Sequence, residues 1–196
     1  RSEGTVLFPL DPASGDALPG YEPIPLGYSS FHAFSPDHSK LAVVSFPTKT
    51  ALNGSLVLID LPAWKRQRFN LELIGWVNSI VFSPVGKRLA LAHGQSNYKL
   101  TLIDLTRGVI LAQEQTESFV SHLKFTKGGD ALMLYSPAVS TANGLSADPP
   151  NISLLDTVDL SPRWSVELEG VRDGIFPKDE SVTEANIHEP GQAFYI

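Results

Sequence analysis

Three stretches of this chain repeat one another: Phe34-Ser35-Pro36-Asp37-His38-Ser39-Lys40-Leu41-Ala42-Val43-Val44, Phe82-Ser83-Pro84-Val85-Gly86-Lys87-Arg88-Leu89-Ala90-Leu91-Ala92 and Phe125-Thr126-Lys127-Gly128-Gly129-Asp130-Ala131-Leu132-Met133-Leu134-Tyr135. Each reads as a strand ending in Phe, a tight turn of Pro, Gly or Asp, and a second, apolar strand. Such turn residues supply the backbone angles that a hairpin needs. A further apolar strand ending in aspartate follows each hairpin, at Leu56–Asp60, Leu100–Asp104 and Ile152–Asp156. A fourth copy of that last strand, Val6-Leu7-Phe8-Pro9-Leu10-Asp11, has no hairpin before it.

The aspartates Asp11, Asp60, Asp104 and Asp156 recur at intervals of 49, 44 and 52 residues, and the Phe positions at 48 and 43. A period in the forties with four short strands per unit is that of propeller blades. Helical solenoids share the period, but these segments are β-like and bounded by turn residues. Six residues before each Phe stands an aromatic, Tyr28, Trp76 and Phe119, preceded in two cases by Gly27 and Gly75. A four-stranded blade cannot bury both faces alone, so neighbouring blades must stack. The near-continuous apolar runs around 41–44 and 56–59 fit strands covered on both sides.

The stretch Gly75-Trp76-Val77-Asn78-Ser79-Ile80-Val81-Phe82-Ser83-Pro84 resembles the repeats of WD40 and YVTN-type β-propellers. In those, a Gly-His pair precedes the innermost strand and a Phe-Ser-Pro-Asp-Gly turn follows it. The resemblance covers about residues 5 to 168. Here Gly-Tyr or Gly-Trp stands for Gly-His, and Leu-Ile-Asp-Leu at 58–61 and 102–105 stands where that family carries Trp-Asp, which points to a bacterial-style variant. The expected fold is all-β: propeller blades of four antiparallel strands near 28–73, 76–116 and 119–168, with partial blades at 5–27 and 182–196. Two completions are open. The partial blades could pair and close a small ring, hiding edge strands that otherwise invite association. The preferred expectation is part of a larger propeller, because 170–190 is long and polar and the chain ends on the apolar Gly191-Gln192-Ala193-Phe194-Tyr195-Ile196.

Composition narrows the partners. A net charge of −6 argues against nucleic acid, which requires a basic surface. The cluster Lys65, Arg66 and Arg68 beside Trp64 reads as a solvated turn. With no cysteine, there are no disulfides, thiolate metal sites or cysteine nucleophiles. No apolar run is long enough for a membrane span. The start Arg1-Ser2-Glu3-Gly4 lacks Met and reads as processed or truncated; with the likeness to exported propellers, the expected setting is extracytoplasmic, periplasmic or secreted.

No catalytic constellation stands out. Gly-x-Ser-x-Gly, the dinucleotide glycine motif and the P-loop are absent, the five histidines lack metal-ligand spacing, and neither a metal nor a cofactor is expected. An aspartate recurring once per blade reads as a turn cap. If the resemblance holds, the regular turns at 35–39 and 83–87 lie on one face and the longer loops Ser45–Ser55, His93–Tyr98 and Ser136–Asn151 on the other, with the segment Glu169–Pro190. Loops presented by a rigid scaffold carry function. Tyr28, Trp76, Phe119, Phe46, His93, Tyr98 and Asn143 are therefore the candidate binding residues. The expected function is a non-catalytic binding or scaffold module whose partners are a protein, the remaining blades, or a further copy completing the ring. The alternative is a fragment of a propeller enzyme of lactonase, dehydrogenase or peptidase-associated type, with its active-site residues in blades absent here.

Overall fold

The computed structural model describes residues 4–51, 53–94, 98–137 and 149–168. Among them there is no helix, and so none long and apolar enough to cross a membrane. Thirteen strands follow one another: β1 (Thr5–Leu7), β2 (Ile24–Phe34), β3 (Lys40–Phe46), β4 (Asn53–Asp60), β5 (Lys65–Ile74), β6 (Val77–Phe82), β7 (Arg88–His93), β8 (Lys99–Asp104), β9 (Val109–Gln115), β10 (His122–Phe125), β11 (Ala131–Ser136), β12 (Asn151–Asp156) and β13 (Pro162–Glu167). They form three antiparallel sheets, β1 to β5, β6 to β9 and β10 to β13, each in sequence order. The all-β architecture of four-stranded antiparallel blades is thus present.

The same turn is built three times. In each, the amide of the residue after Phe donates to the carbonyl of the residue five further on: Ser35 N to Lys40 O, Ser83 N to Arg88 O and Thr126 N to Ala131 O. The hydroxyls of Ser35, Ser83 and Thr126 accept the amides of Lys40, Arg88 and Ala131 at 2.9, 3.0 and 3.1 Å. The turns pass through left-handed residues His38, Gly86 and Gly129, with φ of 56°, 68° and 73°. Only His38 pays for that conformation with a Cβ. Downstream, Leu61 N, Leu105 N and Thr157 N return to Ser39 O, Lys87 O and Asp130 O.

The recurring aspartates cap turns. Asp11, Asp60, Asp104 and Asp156 accept backbone amides of Ala13, Ala63, Thr106 and Val158, each at 2.8 Å. Asp37 does similar work within its turn, accepting the Ser35 hydroxyl at 2.6 Å and Ser39 N at 3.1 Å. Those donors, the Ser35 hydroxyl foremost, lower the Asp37 pKa to about 2. A carboxyl held below its ordinary value of about 3.9 adds stability above that value and loses it as pH falls through about 2. Asp37→Asn should therefore flatten the acid limb of stability between about pH 4 and pH 2 while leaving its shape above pH 5 unchanged, as read by urea midpoints across pH.

Side-chain alternation gives each sheet two faces, and those that meet between sheets are buried. Ala42, Val44, Leu56 and Leu58 of the first sheet meet Phe82, Leu89, Leu91 and Ile103 of the second. Ala90, Ala92, Leu100 and Leu102 on the second sheet's other face meet Phe125, Leu132, Leu134 and Leu155 of the third. The two seams match position by position, which is the packing consequence of the repeat. Cross-seam bonds reinforce them: Leu123 N donates to Ser79 Oγ at 3.1 Å and Arg88 Nη1 to Thr157 O at 3.0 Å.

The chain's beginning forms a ribbon. β2 kinks at Gly27: Ile24 to Gly27 pair with β1, whereas Tyr28 to Phe34 pair with β3. A bridge between Leu10 and Ala17 extends the ribbon past β1. Ile24 and Leu26, with Leu7 and Trp64, cover Leu41, Val43, Val57 and Ile59, the first sheet's remaining face. Residues 5–27 thus supply two strands that are continuous with the first sheet through β2 and stacked upon it. The partial blade expected at 182–196 lies outside the described residues.

Candidate functional site

Where the ribbon and the first two sheets meet, the loop-bearing end carries a cleft of about 250 Å3. Tyr28 and Phe46 are directly paired across β2 and β3 and form its floor. Gly75 and Trp76, which lead into β6, form one wall; Thr48, Lys49 and Ala51 of the loop after β3 form another, and Thr5 closes the ribbon side. Phe46 is buried, whereas Trp76 is 52 % exposed. Among the described residues no acidic side chain lines the cleft, and Lys49 is the one charged side chain that does.

The backbone holds this arrangement. Gly27 and Gly75 both take left-handed angles, φ 65° and 90°, letting the chain pass from an outer strand of one blade straight into the innermost strand of the next. The Ser45 hydroxyl donates to Leu26 O, clamping the kink from the adjacent strand. Gly94 N donates to Trp76 O at 2.8 Å, fixing the tryptophan's backbone to the end of β7. The indole thus projects from a rigid support.

The sequence-derived residues divide between two seams and the interior. Tyr28, Phe46 and Trp76 share the cleft. Tyr98 and Phe119 meet edge to face at 5.8 Å and 75°, and do not line it. The three repeat aromatics are therefore split, Tyr28 and Trp76 in the cleft and Phe119 against Tyr98. His93 is 1 % exposed, with Nε2 at 2.8 Å from Thr101 Oγ1, which also accepts from Gln113 Nε2 at 2.8 Å. That places it in a polar network across β7, β8 and β9, with His93 and Thr101 buried and Gln113 at the surface. Asn143 lies outside the described residues. Thr5, Thr48, Lys49 and Ala51 were not singled out by sequence; Lys49 carried only the signal of lying in the loop Ser45–Ser55.

The basic cluster has a structural use beyond that of a solvated turn. Arg66 Nη1 donates to Pro25 O at 3.0 Å and Trp64 Nε1 to Glu22 O at 2.8 Å, fastening the ribbon to the first sheet's outermost strand. Tyr21 meets Trp64 edge to face at 5.6 Å. In the third sheet, Arg163 bridges Asp130 and Asp156, both at 2.8 Å, and the guanidinium together with turn donors lowers both carboxyls. This pair of carboxylates is an ion-paired clasp. Among the described residues no three His, Asp or Glu side chains converge as a metal-holding group.

No protein-family model matches the sequence, and no curated protein is recognisably similar to it. Solved structures are similar in fold. One, described as a crystal structure of the eukaryotic initiation factor, matches with a TM-score of 0.54 at 14% identity, over 69% of this chain and 31% of that one. Another, the Cps50 (Swd1) β-propeller domain of Myceliophteria thermophila, matches with a TM-score of 0.53 at 17% identity, over 85% of this chain and 52% of that one. The chain thus spans about a third of the first and about half of the second. At such identities the likeness speaks for the fold alone. Together with the stacked antiparallel sheets, it makes this a β-propeller fold.

Proposed function

We propose that this chain is a non-catalytic binding and scaffolding unit of β-propeller type, which takes a protein partner through its loop-rich face. The observation that carries the reading is Trp76: a half-exposed indole on a glycine-hinged support, at the mouth of a cleft floored by Tyr28 and Phe46. Exposed aromatics beside an apolar pocket are the usual anchors of protein interfaces. Lys49 favours an apolar or aromatic side chain with an acidic group next to it. Tyr98 and Phe119 form the second contact point, at the next seam. The four-stranded units, with limits near 28–73, 76–116 and 119–168 and partial blades at 5–27 and 182–196, belong in this reading to a larger propeller or assembly. The repeats are of the bacterial YVTN style, on the ground that Ile-Asp stands in place of Trp-Asp.

The test is selection of displayed peptides against the chain. Enriched sequences should pair an aromatic or large aliphatic residue with Asp or Glu. Binding to Trp76→Ala should be at least about thirtyfold weaker, the loss of one hot-spot aromatic. Its thermal unfolding should remain a single cooperative transition, since about half of the removed ring already faces solvent. Peptides that bind Trp76→Ala as tightly as the parent would sink the assignment.

A further inference from the structure

Two neighbouring blades carry the same pair of residue types in opposite order. One step beyond the rung of Ser45 with Ser55, at the end of the β3–β4 ladder, stand Phe46 and Gly54. One step beyond the matching rung of β7 and β8, His93 with Lys99, stand Gly94 and Tyr98. The first blade thus has its ring on the second strand and a glycine on the third, whereas the next blade has the glycine first and then the ring.

The ring's position decides what it can reach. Tyr98 meets Phe119, the aromatic that leads into the following blade, edge to face at 5.8 Å, and both rings are partly buried. Trp76 is the matching aromatic at the first seam, but position 54 offers it no side chain, and it is 52 % exposed. Phe46 does not take the part of Tyr98, because its ring lies over Gly54. A Cβ on Gly54 would stand 2.9 Å from Phe46 Cε1, 3.2 Å from Phe46 Cζ and 3.1 Å from Val44 Cγ1. Gly54 has no left-handed backbone angle to account for it, so space is what keeps a side chain out.

We propose that Gly54 is the specificity-determining residue of the cleft: by giving the Phe46 ring a bed on β4, it keeps the seam open beneath Trp76 and sizes it for an aromatic side chain of the protein partner. The inference rests on the cleft as the place where that partner is anchored. Three rings around about 250 Å3 favour a fourth, since aromatic pairs gain energy beyond their buried area. A Cβ at position 54 pushes the Phe46 ring back across β3 towards Tyr28, its pair on β2, and so narrows the cleft. The ring is the end of a side chain and not backbone, so it can give without breaking the sheet.

The test is display selection of random peptides, run in parallel on the parent chain and on Gly54→Ala. The parent should enrich Trp, Phe and Tyr anchors, and Gly54→Ala should enrich Leu and Val. Gly54→Ala should bind the parent's aromatic peptides at least about tenfold more weakly, because one methylene in an apolar pocket discriminates by that order. Its binding of Val-anchored peptides should hold. A second variant, Phe46→Gly combined with Gly54→Tyr, copies the arrangement of the second seam. The indole N–H resonance of Trp76, assigned by its loss in Trp76→Phe, should be broadened by a soluble paramagnetic agent in the parent and escape that broadening in the double variant. Unchanged anchors in Gly54→Ala, or equal weakening of both peptide classes, overturn the proposal. So does a Trp76 resonance as shielded in the parent as in the double variant. If no peptide binding depends on Trp76, the anchoring role of the cleft fails by itself, and the resonance still decides whether Gly54 holds the seam open.

Discussion

Replacing Gly27 by valine should lower stability by about 3 kcal/mol or more, read as a fall of about 10 °C in the unfolding midpoint. Two costs combine. A left-handed residue carrying a Cβ costs about 1–2 kcal/mol, and Gly27 has φ 65°. A Cβ there would also stand 2.7 Å from Phe46 O, a backbone atom held in the β2–β3 ladder that cannot step aside. The control is Gly20→Ala, at φ 85° with nothing within 4 Å of the added carbon. It should show the backbone cost alone, about 1 kcal/mol. Equal losses at both positions would mean that the contact with Phe46 carries no weight. Because Gly27 is also the hinge above the cleft, a surviving Gly27→Ala chain should bind the selected peptides more weakly.

The second large effect belongs to the seam between the second and third sheets. Leu102 is fully buried there, among Ala90, Leu100, Phe125 and Leu132. Leu102→Ala should cost about 3 kcal/mol through lost transfer energy and the cavity left behind, whereas Leu102→Met should cost under about 1.5 kcal/mol because volume is conserved. In stacked repeats each unit depends on its immediate neighbours. Amide exchange should therefore accelerate first in β10 to β12, which lean on Leu102, and last in β3 and β4, whose packing lies on the far side of the second sheet. Uniform acceleration across all three sheets would show that the array opens as a single unit.

These predictions share a geometry that was partly readable beforehand. The Phe-turn-apolar pattern announced hairpins, and the structure draws them with the same hydroxyl-to-amide bond at Ser35, Ser83 and Thr126. Turn chemistry is local: it needs a small polar side chain, a left-handed residue and a few neighbours, all within six residues of sequence. The aspartates were legible for the same reason. Alternation and period then specify which side chains share a face, because one blade's pattern is incomplete without the next.

The candidate site was legible only in part. Tyr28, Phe46 and Trp76 could be named from their places before or after strands, but their meeting in one cleft depends on the ribbon, the kink at Gly27 and the loop carrying Lys49. His93 shows the limit from the other side. Its position beside a loop suggested display, yet the last residue of β7 points inward to Thr101, since strand alternation places it on the same face as buried Leu91. Phe34 shows it again, sharing its motif with Phe82 and Phe125 yet 51 % exposed where they are 5 % and 6 %.

By itself, then, the sequence determined what is local and periodic: strand type, turn geometry, aspartate caps and the four-stranded repeat. Tertiary structure decided what depends on neighbours far along the chain: that residues 5–27 stack on the first sheet, that the basic cluster fastens them there, that the aromatics split between two seams, and that Phe34 is half exposed. The division has a physical cause. Turns and alternation are short-range backbone effects, repeated wherever the motif recurs, whereas exposure is a property of whatever packs alongside, and no repeated motif records whether its neighbour is complete.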